Sequence, residues 1–197
     1  MFMSTCRGIG FALLASLLAA CGTLLPSTES GLRRDDLAAF SLQGRFSLRQ
    51  GEQNYSGRLT WRHDGPDNEL LLASPFGQGV AEISTSAQGA KLTTSNGETH
   101  VAADAESLIQ RFLGYPLPLT KLVDWLRGRS GTGDVVTPDH VGRPLRLRQF
   151  PWQIEYGYDS DDAGALPGRI FAVRLDSEET IELRLRIDEW RQQRRGP

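Results

Sequence analysis

Cysteine is nearly absent from this 197-residue chain, which contains only Cys6 and Cys21. A disulfide framework and a Cys-rich metal site are thereby excluded. Histidine is almost as scarce. His63, His100 and His140 lie far apart, each in or beside a turn or a polar strand end, with none of the spacings that hold a metal ion. There is no CxxC, HExxH or GxSxG motif and no glycine-rich loop suited to cradling phosphate. The clustered carboxylates Asp159, Asp161 and Asp162 fall in a Gly-rich stretch of the kind that forms solvated hairpins. Enzyme chemistry, a metal and a cofactor are therefore not expected. Charge of one sign is missing too: 22 Lys and Arg are scattered among 24 Asp and Glu, which argues against a nucleic-acid surface. The apolar run at residues 9–18 is too short to cross a bilayer as a stable helix, and no second such run follows.

What is present begins with that run. Arg7 supplies a short cationic start, and the run ends in LAAC, where Ala19 and Ala20 leave room for a signal peptidase before Cys21. This resembles the lipobox of bacterial lipoproteins. The resemblance implies that Cys21 is the mature N-terminus and carries a thioether-linked diacylglycerol and an amide-linked acyl chain. Cleavage would discard Cys6 and leave one thiol. Gly22 stands where an Asp usually marks inner-membrane retention, so sorting to the outer membrane, facing the periplasm, is implied. An ordinary secretory signal ending in AAC is the alternative. Three segments follow from this reading: a signal peptide over residues 1–20, a lipidated tether over 21–31 and one folded domain over 32–197. The tether sequence GTLLPSTESG is small, polar and Pro-interrupted, and reaches at most about 35 Å when extended. The domain is long enough to bury a real core.

In LRRDDLAAF, Leu32, Leu37 and Phe40 fall on one helical face, with Arg33, Arg34, Asp35 and Asp36 solvated. From Phe40 the period becomes two. Leu42, Gly44, Phe46 and Leu48, then Tyr55, Gly57, Leu59 and Trp61, alternate with polar residues and predict two strands. Further strands are predicted over 69–74, 80–85, 90–94 and 99–102, the last two joined by an Asn-Gly turn, giving six in meander order. Two helices interrupt them. Asp104 caps the first, which carries Leu108, Ile109, Phe112 and Leu113 and stops at Gly114; the second carries Leu119, Leu122, Val123, Trp125 and Leu126 and stops at Gly128. Taken alone, these stripes read as core packing. The stretch RSGTGDVVTPDHVGR reads as a long loop, four more strands follow at LRLRQF, WQIEYGY, GRIFAVRLD and TIELRLRIDEW, and RQQRRGP reads as a solvated tail. The total is about ten strands in a curved antiparallel sheet, with helices filling or lidding its concave face.

The blocks SPFGQ, LPLTKLVDWLRG, WQIEYGYD and IDEW, with Trp61, Trp125, Trp152 and Trp190, run in the order and spacing of the LolB family, which the mature chain resembles along its length. The resemblance implies a mainly β fold with an α insertion: an unclosed antiparallel β-barrel of about eleven strands whose helices cover a hydrophobic cavity, without catalytic residues. It implies a monomeric outer-membrane receptor that accepts mature lipoproteins from the periplasmic carrier LolA and inserts them into the membrane. Its partners would be LolA, cargo acyl chains and outer-membrane lipids. An envelope lipoprotein that carries glycolipid or phospholipid is the alternative, and a scaffold without a cavity is a third reading. Alternation selects Phe46, Leu48, Leu59, Trp61, Leu72, Ile83 and Leu92 as the acyl-chain cavity wall, and a register slip of one would exchange the faces. Leu108, Phe112, Leu122 and Trp125 are assigned to the helical lid. Phe76, between Pro75 and Gly77, matches the family's loop position for an exposed hydrophobe, usually leucine, and is assigned to membrane insertion; the alternative is a ring folded back on its own sheet.

Overall fold

Alternating polarity builds a meander. In the computed structural model, which describes residues 33–34, 37–115, 117–176 and 179–193, β1 (Ala39–Gln50) turns at Gly51 into β2 (Gln53–Asp64). β3 (Asp67–Ala73), β4 (Gly79–Ser86), β5 (Gly89–Thr94) and β6 (Thr99–Ala102) continue the meander. Cys21, the signal peptide, the tether and Leu32 lie outside the described residues. After α1 (Ala105–Leu113) and α2 (Leu119–Leu126) come β7 (Val135–Pro138), β8 (Pro144–Gln149), β9 (Trp152–Gly157), β10 (Arg169–Arg174) and β11 (Ile181–Gln192). All eleven strands form one antiparallel sheet in the order β6-β5-β4-β3-β2-β1-β11-β10-β9-β8-β7, which is not closed.

The first and last long strands pair at its centre, with Phe46 opposite Leu185 and Leu48 opposite Leu183, so both oily faces point the same way. Two glycines in the alternation have a further use. A Cβ at Gly44 would strike the Arg186 carbonyl, and one at Gly57 the Ala73 carbonyl; the backbones approach closely there, and the β1–β11 register shifts between Gln43 and Gly44. Such close approaches and bulges are how a sheet acquires strong curvature. Phe46 lies directly across from Gly57 and covers the position that lacks a side chain.

Asp104 caps α1 as expected, accepting the Ser107 N–H at 2.7 Å, and this bond holds its carboxyl below the ordinary value. Gly114 ends α1 in the left-handed region at φ 83°. α2 starts at Pro118 without a side-chain cap of its own.

Several expectations change. Val135–Pro138 forms a strand inside the stretch read as loop; it is an exposed edge strand, so no apolar period marks it. Phe40 belongs to β1 rather than to a helix, although it and Leu37 are fully buried. Arg34 is half-buried, its backbone N–H bonded to the Gly164 carbonyl. Arg191 and Gln192, the first two residues of the stretch read as a tail, extend β11 and pair with Ser41 and Phe40. His63 lies at a strand end as read, next to last in β2, but is buried there; its Nδ1 lies 2.9 Å from Asn68 Oδ1, and burial holds its pKa below the ordinary value. The Asp159–Asp162 loop is braced, not free. Buried Arg143 stacks on Tyr158 at 4.0 Å and donates to the carbonyls of Ser160 and Asp162, while Arg186 bonds Asp159.

Candidate functional site

Strands in an antiparallel sheet reverse direction at each turn, so the β1–β2, β3–β4, β5–β6, β8–β9 and β10–β11 turns all fall at one end. The opposite end is plugged. There Phe40 meets Trp61, His63 and Trp190 with ring centroids 6.4, 5.0 and 5.3 Å apart, and the Trp61 Nε1–H donates to Asn68 Oδ1 at 3.0 Å.

Between plug and turns lies a cavity of about 480 Å³, walled by β1 to β5 and β11 and roofed by α1 and α2. All seven wall positions chosen by alternation, Phe46, Leu48, Leu59, Trp61, Leu72, Ile83 and Leu92, line it, and Leu70, Leu183, Leu185, Leu117 and Leu119 join them. Leu70, Leu183, Leu185 and Leu119 share the apolar faces of their elements, and Leu117 comes from the link between the helices. β11 could be placed beside β1 only once the pairing was known. Leu108, Phe112 and Leu122 contribute from the helices, and Phe112 is 54% exposed at the rim. Trp125 does not line the cavity. Its ring is fully buried against Trp152 at 5.6 Å, and its Nε1–H donates to Gln149 Oε1 at 3.0 Å, so it fastens α2 to β8 and β9.

Among the described residues, no charged side chain lines the cavity, and apart from the Trp61 indole N–H, which is bonded to Asn68, its polar side-chain groups are those of Asn54, Tyr55 and Ser56 near the turn end. A ligand with a buried charge would find no partner there. An alkyl chain needs none, and each methylene taken out of water contributes about 0.8 kcal/mol. At roughly 30 Å³ per water-sized group, the space holds about sixteen such groups. A well-packed scaffold would have no such space. Burial raises the phenol pKa of Tyr115 and Tyr156 far above the ordinary value and that of Tyr158 to about 12, so all three stay neutral. Among the described residues, no group of three His, Cys, Asp or Glu could hold a metal ion.

The cavity reaches the turn end at Pro75 and Val80, beside Phe76. The Ser74 N–H bonds the Gln78 carbonyl at 2.7 Å, the Gly77 N–H bonds the Ser74 carbonyl at 2.9 Å, and Gly77 takes a φ of 89° that favours glycine. This tight tip leaves Phe76 94% exposed, so the ring does not fold back on its sheet.

The chain is similar to known proteins along most of its length. The family described as Outer membrane lipoprotein LolB matches residues 38–190. The chain is similar to the outer-membrane lipoprotein LolB of Dechloromonas aromatica, 41% identical over 185 residues that cover 91% of this chain and 95% of that one. The LolB of Azoarcus sp. is 36% identical, covering 89% and 90% respectively. That of Ralstonia nicotianae is 36% identical, covering 82% and 81%. Among solved structures, a LolA superfamily protein from Nitrosomonas europaea is similar with a TM-score of 0.49 and 11% identity, over 82% of this chain and 89% of that one.

Proposed function

This chain belongs to the LolB family, and on that premise we propose that it is an outer-membrane lipoprotein that accepts mature lipoproteins from the periplasmic carrier LolA and inserts them into the outer membrane. Cys21 carries the acyl anchor, and residues 21–31 tether the domain to the bilayer. The observation that supports the reading is a charge-free cavity opening beside a 94% exposed phenylalanine. A lipoprotein's acyl chains cannot cross an aqueous compartment uncovered, because dozens of methylenes would face water at about 0.8 kcal/mol each. The cavity takes a chain, α1 and α2 cover it, and Phe76 brings the mouth to the headgroup boundary, where burial of the ring contributes about 1.5–3 kcal/mol. Transfer follows affinity: cargo binds this receptor more tightly than the carrier, and the membrane more tightly still. No catalytic group takes part, and one copy suffices.

The test mixes purified protein with cargo-loaded LolA and then adds liposomes. Cargo is expected to move to this protein and then to lipid. Cargo that stays on the carrier would overturn the reading, and stoichiometric phospholipid or glycolipid bound without any uptake would show a small-lipid carrier instead.

A further inference from the structure

We infer that the β8–β9 turn is a second membrane contact: Phe150 enters the same lipid surface as Phe76, with Leu175 beside it at headgroup level, and fixes the tilt of the cavity mouth. The inference rests on the membrane role proposed for Phe76. Phe150 is 76% exposed and Leu175 48% exposed, and both sit in turns at the same end of the sheet as Phe76. The Leu175 N–H donates to the Pro151 carbonyl at 2.8 Å, and the Gly51 N–H donates to the Thr180 carbonyl at 3.0 Å. The β8–β9, β10–β11 and β1–β2 turns thus form one hydrogen-bonded ledge. Phe150 therefore stands on a braced support.

The layout favours a plane over a protein partner. Six strand spacings separate the β3–β4 turn from the β8–β9 turn, roughly 29 Å along the sheet at about 4.8 Å each. Two separate apolar points on different turns of one rim fit a flat lipid surface, whereas a specific protein interface needs about 800 Å² of continuous contact per partner. Neither aromatic tip carries charge: apart from Glu82 just beyond, residues 70–81 and 149–154 contain no Asp, Glu, Lys, Arg or His, so insertion of Phe76 and Phe150 strands no ion in hydrocarbon, whereas Leu175, flanked by the ion pair of Arg174 and Asp176, stays at the level of the headgroups. Arg148, exposed two residues before Phe150, falls at the depth of lipid phosphates. The tether length agrees. The Arg34 N–H is held by the Gly164 carbonyl, so residues 22–33 separate Cys21 from the domain, a contour of about 43 Å, against about 40 Å for the twelve residues of β1. A chain anchored at Cys21 can therefore reach back along the sheet and let its turn end meet the same bilayer.

The test uses the full acylated protein in phosphatidylethanolamine and phosphatidylglycerol liposomes containing a nitroxide lipid. An environment-sensitive fluorophore is attached in turn at Phe150→Cys, Phe76→Cys and, at the opposite end, Gln88→Cys. Labels at 150 and 76 are expected to shift to the blue and be quenched, while the label at 88 stays bright. Quenching at 76 with a water-like signal at 150 overturns the second contact and leaves the role of Phe76 standing; water-like signals at both positions overturn the underlying membrane reading. A label at 150 that responds to cargo-loaded carrier but not to lipid also overturns the inference, making the tip a protein contact. Leu175→Cys reports on the same ledge should the label at 150 disturb folding. Phe150→Glu is expected to slow delivery to liposomes about tenfold, the loss of one partly inserted ring, while uptake from the carrier is kept.

Discussion

Glu106 in the first turn of α1 accepts two hydrogen bonds from Thr120 in the first turn of α2, one from the backbone N–H at 3.1 Å and one from the hydroxyl at 2.6 Å. α2 has no cap of its own, so a carboxylate from the other helix satisfies a donor at its N-terminus and opposes its dipole. The two helices are thereby joined as one cover. Glu106→Ala is expected to cost about 1 kcal/mol, as loss of a cap does. The discriminating measurement is hydrogen exchange: amides of residues 119–126 should exchange faster while those of β1 and β11 do not change. Unaltered exchange in α2 would show that the helices are held separately.

Phe76 should separate receipt of cargo from its delivery. Phe76→Leu keeps an apolar group and should retain both steps. Phe76→Glu should fold, since a tip side chain this exposed contributes little to the core, and should still take cargo from the carrier. It should then fail to release cargo into liposomes. Normal delivery by the acidic variant would remove the insertion role.

Trp125 tests the fastening of the cover. Trp125→Ala removes a fully buried indole and its bond to Gln149, and should cost roughly 3–5 kcal/mol. That corresponds to a fall in Tm of roughly 6–20 °C for a domain of this size. Because the ring lies outside the cavity, cargo affinity measured well below the new Tm should change less than stability does. A large affinity loss at unchanged Tm would contradict this placement.

Cys21→Ser should abolish acylation and move the protein from the membrane fraction to the soluble periplasmic one. Cell fractionation reads this directly. A serine variant that stays firmly in the membrane would show that another attachment exists. Cargo uptake by the released protein should persist, because among the described residues the cavity lining falls within 46–185, far from Cys21 in sequence.

The cavity wall was legible because its strands alternate strictly and one face is apolar; Leu59, Trp61, Ile83 and Leu92 needed no more than the period of two. The helices were harder to read. A stripe such as Leu119, Leu122, Val123, Trp125 and Leu126 covers a wide face, and its two edges meet different neighbours: Leu122 meets the void, while Trp125 meets Trp152. Sequence period identifies the face but not which part of it stays unpacked. β7 escaped because an exposed edge strand has no buried side to alternate with. Arg143 escaped because a loop arginine looks solvated. It is buried by partners distant in sequence, Tyr158, Ser160 and Asp162, and pairs with Asp139 at 2.8 Å.

The sheet order ends at β6 on one side and β7 on the other, with no pairing between them. In a closed barrel, girth is fixed by strand number and stagger, and widening it means breaking a complete ladder of hydrogen bonds. Here no ladder joins the two margins: α1 packs on β5 and β6, and Trp125 fastens α2 to β8 and β9, so the gap is bridged by side-chain contacts of the helical cover and spreading it would break no strand hydrogen bond.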